Sequence, residues 1–117
     1  MSIGIYPQNP PAIRVADESD WPKIIRWETA LDIWTDYPYK AWGYTLTLHR
    51  VMGEMRYHIH DQESIAPVGY LVVYEDPRVI MRVEDRRLRP LMCGLTSVST
   101  ALCAVGEHLY RADRAAS

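Results

Sequence analysis

Leu91-Met92-Cys93-Gly94-Leu95-Thr96-Ser97-Val98-Ser99-Thr100-Ala101-Leu102-Cys103-Ala104-Val105-Gly106 is a run of sixteen residues without a charge. Leu91, Leu95, Val98, Leu102, Val105 and Leu109 recur through and just past it at alternating steps of four and three, the spacing that lines side chains along one face of an α-helix. Beside that stripe Cys93, Gly94, Ser97, Ala101 and Ala104 are small enough to let another backbone approach closely. The pattern predicts a long C-terminal helix from about Pro90, a residue suited to a first helical turn, with one broad arc that must be covered. Leu91 to Tyr110 has the length of a membrane span, but its Ser, Thr and Gly residues with Glu107 and His108 make it too polar for one.

Upstream the period falls to two. Leu46 and Leu48 alternate with Thr45, Thr47 and His49, and after Gly53 Met55, Tyr57 and Ile59 alternate with Arg56, His58 and His60, which predicts a hairpin with one wet face. Pro67 to Tyr74 is apolar at nearly every position and reads as a central strand. Asp76-Pro77 then turns the chain into a further strand, Val79 to Val83. Four antiparallel strands in chain order make a meander, and the long helix follows it.

Toward the N-terminus, Met1 to Pro11 contains Pro7, Pro10 and Pro11 and reads as an extended arm. Ala12 to Val15 is a short strand candidate. Asp17, Ser19 and Asp20 are N-cap choices before Pro22, and Ile24, Trp27, Leu31 and Trp34 share a face, so a helix or helix pair is expected to reach about Thr35 before Pro38 ends it. Tyr37, Tyr39 and Trp42 fall in the loop beyond. The fold class expected is therefore α+β, an antiparallel meander sheet with an N-terminal helix or helix pair and a long C-terminal helix packed on it, in one domain over residues 1–117.

With 117 residues, 48% of them hydrophobic and 24% charged, the chain has the composition of one globular domain. A formal net charge of −2 gives no general attraction to nucleic acid or to anionic lipid, so neither is expected as a partner. Locally, Arg78, Arg82, Arg86, Arg87 and Arg89 cluster, diluted by Glu84 and Asp85; they read as a solvated loop and strand edge, with a small anion or an acidic partner as the alternative. Cys93 and Cys103 are too far apart on the proposed helix to bond and read as buried thiols of a reducing, cytoplasmic compartment. No basic leader precedes an apolar core at the N-terminus, so secretion is not expected.

His58 and His60 point to one side of a strand, and His49 can join them across the ladder. Neutral imidazoles so spaced can ligate zinc or iron, with Asp61 as an oxygen donor, but alternation puts them on the wet face and no metal is expected. Ser97, Ser99, Cys93 and Cys103 fall within the proposed helix with no nucleophile elbow, and read as gap fillers or local hydrogen bonders. Phenylalanine is absent, and the aromatic residues are eight Tyr and four Trp, which suit half-buried sites and interfaces. Trp34, Tyr37, Tyr39 and Trp42, together with Ser97, Ala101 and Ala104 beside the helical stripe, are the candidate interface residues.

Ile13-Arg14-Val15-Ala16-Asp17 through Asp20-Trp21-Pro22-Lys23-Ile24 is similar to the first strand and helix of the GCN5-related N-acetyltransferase (GNAT) family. Val68-Gly69-Tyr70-Leu71-Val72-Val73 resembles that family's middle strand after a hairpin. Val83 to Leu95 resembles its pattern of strand end, Arg/Gln-x-x-Gly-x-Gly/Ala and helix. The resemblance implies an acyl-CoA loop whose amides and helix N-terminus hold the pyrophosphate, with Arg89, Met92, Cys93, Gly94 and Leu95 as the cofactor contacts. Arg89 and Gly94 match the pattern. Met92 replaces the central glycine, Pro90 lacks an N–H, and the family's later strands have no counterpart beyond Tyr110 or a second subunit standing in for their tyrosine.

The reading that results is a non-catalytic protein-binding or assembly subunit on a truncated, degenerate GNAT-like scaffold, self-associating and without a cofactor. The alternative is an acyl-CoA-dependent N-acyltransferase using acetyl-CoA, with a water or Glu54, His58 or His60 taking the amine proton.

Overall fold

The computed structural model describes residues 21–54, 56–75 and 78–116. The arm Met1 to Pro11, the strand Ala12 to Val15, the capping candidates Asp17, Ser19 and Asp20, the residue Met55 and the Asp76-Pro77 turn lie outside them. The described chain is α+β: helix α1 (Trp21–Ala30), then strands β1 (Tyr39–Ala41), β2 (Tyr44–Arg50), β3 (Arg56–Asp61), β4 (Gly69–Glu75), β5 (Val79–Asp85) and β6 (Pro90–Leu95), then helix α2 (Val98–Ala116). The six strands form one antiparallel sheet in chain order, each bonded to the next. The expected meander is thus extended by a strand at each edge.

The inner strands follow the alternation. Leu46 and Leu48 on β2, Tyr57 and Ile59 on β3, Leu71 and Val73 on β4, and Met81 and Val83 on β5 are buried in one core cluster. Each large side chain so buried contributes roughly 1.5–3 kcal/mol. On β4 the other face is buried as well, since Val72 and Tyr74 form a second small cluster with Ile80 of β5. This is why Gly69 to Tyr74 shows no polar alternation.

Both edge strands correct the sequence reading, and β6 also corrects the start of the long helix. Leu91, Cys93 and Leu95 are each more buried than Pro90, Met92 and Gly94, a period of two in burial, with β6 paired to β5 through irregular register. Residues four apart share a face in a strand and in a helix alike, so Leu91 and Leu95 satisfy both patterns and the stripe alone does not separate them. Gly94, at φ +71°, is in a conformation no α-helix contains. The helix begins only at Val98, after Ser97, a residue type suited to the N-cap, whose carbonyl accepts from the Ala101 amide at 3.3 Å.

Helix α1 ends earlier than its apolar face suggests. Asp32 takes φ +54°, the Ile33 amide donates to Glu28 O at 2.8 Å and the Asp32 amide to Thr29 O at 3.4 Å. This is the left-handed cap usually made by glycine, here with Asp32 in its place and Ile33 tucked into the core. Trp34 is consequently turned out to partial exposure and does not continue the face of Trp27. Glu75 ties α1 to β4 by accepting from the Trp27 indole at 2.9 Å and Arg26 at 2.8 Å, and Glu28 accepts from Tyr57 at 3.2 Å and from Arg50.

Helix α2 buries Val98, Ala101, Leu102, Val105 and Gly106, with Ala104 and Leu109 packed at the margin. It touches β5 and β6 at one edge and β1 and β2 at the other. A flat sheet would set β1 and β6 about 24 Å apart, while a helix with its side chains is about 10–12 Å across, so the sheet curls around α2. Helix and strand approach closely at Gly106, where an added Cβ would meet Ala41 O at 2.7 Å and Ala41 Cβ at 2.9 Å. The arc that the uncharged run requires to be covered is covered by the chain's own sheet.

Candidate functional site

The candidate interface residues do not form one patch. Ala101 is fully buried on the core-facing side of α2 and Tyr39 packs against the core from β1, so neither presents a free surface. Trp34 and Tyr37 stay exposed, with ring centroids 5.7 Å apart. Trp34 also shares a shallow groove of about 280 Å³ with Leu31, Ser97 and Ser99, which joins the post-α1 loop to the start of α2. Ala104 lines a second groove of about 220 Å³ with Leu91, Met92, Glu107, His108 and Arg111, between α2 and β6. Trp42 sits elsewhere, in the β1–β2 turn, 5.2 Å from the ring of Tyr110 on α2.

The residues implied as acyl-CoA contacts lie along one extended segment. Arg89 precedes β6, and Met92, Cys93, Gly94 and Leu95 are on it, so the loop-then-helix geometry implied by the resemblance is a strand paired with β5 here. Cys93 is half-buried and Cys103 exposed on α2, and both thiols are free, which corrects the expectation that both are buried. Ser97 and Ser99 contact each other at 2.7 Å at the head of α2.

On the sheet face away from α2, His49, His58 and His60 do come together. His49 stacks edge-on against His60 at 5.1 Å and bonds Asp36 at 2.8 Å and Thr47 at 2.9 Å. His58 faces Tyr70 at 5.2 Å and Glu54 at 3.3 Å. Burial, and then the neighbouring His49 and His58, hold His60 below the usual imidazole range. Among the described residues no group of three or more His, Cys, Asp or Glu side chains has metal-holding geometry. Next to this face Glu84, only 1% exposed, accepts from Arg56 Nε at 3.0 Å and pairs with Arg82 Nη2 at 2.7 Å, while Arg56 lies over the Tyr70 ring. Nothing in the arginine and carboxylate spacing marked these three as one buried unit.

The arginine-rich segment makes a tight turn organised by Asp85. Its carboxylate accepts from the Arg87 amide at 2.8 Å, the Arg89 amide at 2.9 Å and the Arg89 guanidinium at 3.1 Å, and Leu88 is held at φ +65°. Burial opposes ionisation of Asp85, yet the donated amides and guanidinium outweigh it and keep the carboxyl below its usual range. Stability from this group is full above the unfolded value near pH 4 and is lost as pH falls through the lower folded value. Asp85→Asn is expected to lower stability at neutral pH by about 1–2 kcal/mol and to flatten the acid limb of urea melts taken below about pH 4. An acid limb identical to that of the parent chain contradicts this role.

A cleft of about 410 Å³ opens beside the turn, lined by Val68, Asp85, Arg86, Arg87, Arg89 and, from α2, His108, Leu109, Ala112 and Asp113. Across the sheet end, Tyr44 donates to Asp113, and that bond, with Asp61 and Glu63 nearby, pushes the phenol up to about 12. Leu88, Ile65 and Tyr110 complete the exposed apolar residues here, and no periodicity marked them because they are on turns or the solvent side of α2. No described helix is long and apolar enough to cross a membrane. Comparison with protein-family models, with curated proteins and with solved structures finds no match to this chain.

Proposed function

We propose that this chain is a non-catalytic protein-binding or assembly subunit of the cytoplasm that associates with copies of itself. The observation that carries the reading is the set of large apolar side chains left in solvent outside a filled core: Trp34, Tyr37, Trp42, Leu88, Met92 and Tyr110. Trp and Tyr are the residue types that anchor interfaces, since they bring large rigid area at little entropic cost. Sedimentation velocity over a range of concentrations tests it. A concentration-dependent shift to a larger species is expected, and a monomer at every concentration counts against self-association.

The second reading, an acetyl-CoA-dependent N-acyltransferase on a GNAT-like scaffold, is supported by the central strand β4 following a hairpin and by Arg89 beside the cleft. It is the weaker one because the amides of Leu91 to Leu95 belong to a strand and do not converge on a helix start. A calorimetric titration with acetyl-CoA separates the two. Absence of heat is expected, and micromolar binding would replace the assembly reading.

A further inference from the structure

We propose that the sheet end carrying the β1–β2, β3–β4 and β5–β6 turns is the surface through which two copies of this chain pair, each Arg86-Arg87 turn meeting the partner copy's Glu63 loop. The inference rests on the self-association reading and assigns it a surface.

In an antiparallel meander every second turn emerges at the same end, so these three turns share one end of the sheet, where Asp113 of α2 bonds Tyr44 and lines the cleft with Arg86 and Arg87. Helix α2 starts at the opposite end, after β6, and runs back, which brings Tyr110 against Trp42 and Asp113 against Tyr44. Four of the large exposed apolar residues gather here: Trp42, Ile65, Leu88 and Tyr110, with Ile65 99% exposed.

Two independent features set this end apart. Trp42 at φ +55° and Leu88 at φ +65° hold left-handed backbone conformations that glycine or asparagine adopts readily and bulky residues do not. Among the described residues the other two such non-glycine positions, Asp32 and Asp36, are of a type that tolerates the conformation. Two turns at one end therefore keep a large apolar side chain in solvent against the backbone's own preference, as functional positions do.

The second feature is charge. Asp61 and Glu63 lie beside Tyr44 at one groove, and Arg86 and Arg87 line the cleft at the β5–β6 turn. Among the described residues neither the Arg86 nor the Arg87 guanidinium has a hydrogen-bonding or ion-pair partner. One surface thus carries both halves of a complementary pair around apolar residues, the requirement of an isologous two-fold contact, in which each patch faces the other's counterpart.

Sedimentation velocity at stepped salt on two charge variants tests the pairing. The parent chain is expected to dimerise, more weakly as salt rises. Arg86→Glu/Arg87→Glu and Gln62→Lys/Glu63→Arg, each alone, are expected to raise the dissociation constant by about tenfold or more. Their equimolar mixture is expected to dimerise again, because every like-charge contact becomes an opposite one. Asp61 is retained, since its Oδ1 accepts the Glu63 amide at 3.1 Å and shapes the loop. Leu88→Gly is expected to raise the melting temperature while weakening the dimer, a split that a merely structural leucine would not produce. Variants that dimerise like the parent place the interface elsewhere and overturn this inference while self-association stands. Loss in both variants without recovery on mixing, or Leu88→Gly leaving the dimer intact, also overturns it. A parent chain that remains monomeric overturns the self-association reading itself.

Discussion

Gly106→Ala is expected to destabilise the fold by about 2–3 kcal/mol, although alanine is favoured over glycine by about 1 kcal/mol inside a helix. The reason is the contact between α2 and β1. A methyl at Gly106 would stand 2.7 Å from the carbonyl oxygen, 2.9 Å from Cβ and 3.1 Å from the carbonyl carbon of Ala41. Two of those atoms are backbone, so no side-chain rotation relieves the clash, and either the helix or the edge strand must move. Movement there loosens the closure of the sheet around α2, because β1 is the edge that the C-terminal half of the helix holds. Urea unfolding should show a lower midpoint at unchanged slope, and Thr100→Ala on the exposed side of the same helix should stay within about 0.5 kcal/mol of the parent. Equal stability of Gly106→Ala and the parent chain would mean that helix and strand do not approach this closely.

Glu84→Ala is expected to cost more, about 3–5 kcal/mol, since it removes the carboxylate that bridges two mostly buried guanidiniums. The Arg56 and Arg82 side chains are 17% and 13% exposed, and each meets a different oxygen of Glu84. Without that carboxylate the two like charges face each other across β3, β4 and β5 with little water to solvate them. Arg82 Nε has no hydrogen-bond partner among the described residues even with Glu84 present. The companion experiment replaces all three residues together with Met, Met and Leu. If the cost comes from stranded charge and not from lost volume, the triple variant recovers most of the stability that Glu84→Ala loses. A triple variant as unstable as the single one points to lost packing as the source.

The inner meander was legible because each of its strands keeps one polar and one apolar face, or none, over several residues. Leu46 and Leu48, then Tyr57 and Ile59, show the period without knowledge of neighbours, and Val68 to Tyr74 reveals a two-sided strand by having no polar face at all. The misread elements are those whose local pattern fits more than one structure. Tyr39 to Ala41 is three residues between Pro38 and a turn, too short to carry a period, and it is a strand because β2 pairs with it. The end of α1 was hidden because its cap is Asp32 where a glycine would have marked it. For the candidate site, the aromatic residues after α1 were identifiable by type, while their grouping was not. Trp34 pairs with Tyr37, and Trp42 goes to the far end of the sheet with Tyr110, a separation set by strand direction.

From its residues alone, this chain is bound to form an antiparallel sheet with a helix after it, since burial of alternating side chains is a local property of the pattern and needs no partner to be specified. Where the uncharged C-terminal run divides is another matter. Leu91 and Leu95 suit a strand as well as a helix, and the free edge of β5, which supplies hydrogen bonds to Pro90–Leu95, decides between them. Which apolar side chains remain in solvent is likewise a tertiary outcome, because exposure depends on which turns the meander brings to one end and on how far α2 reaches across them.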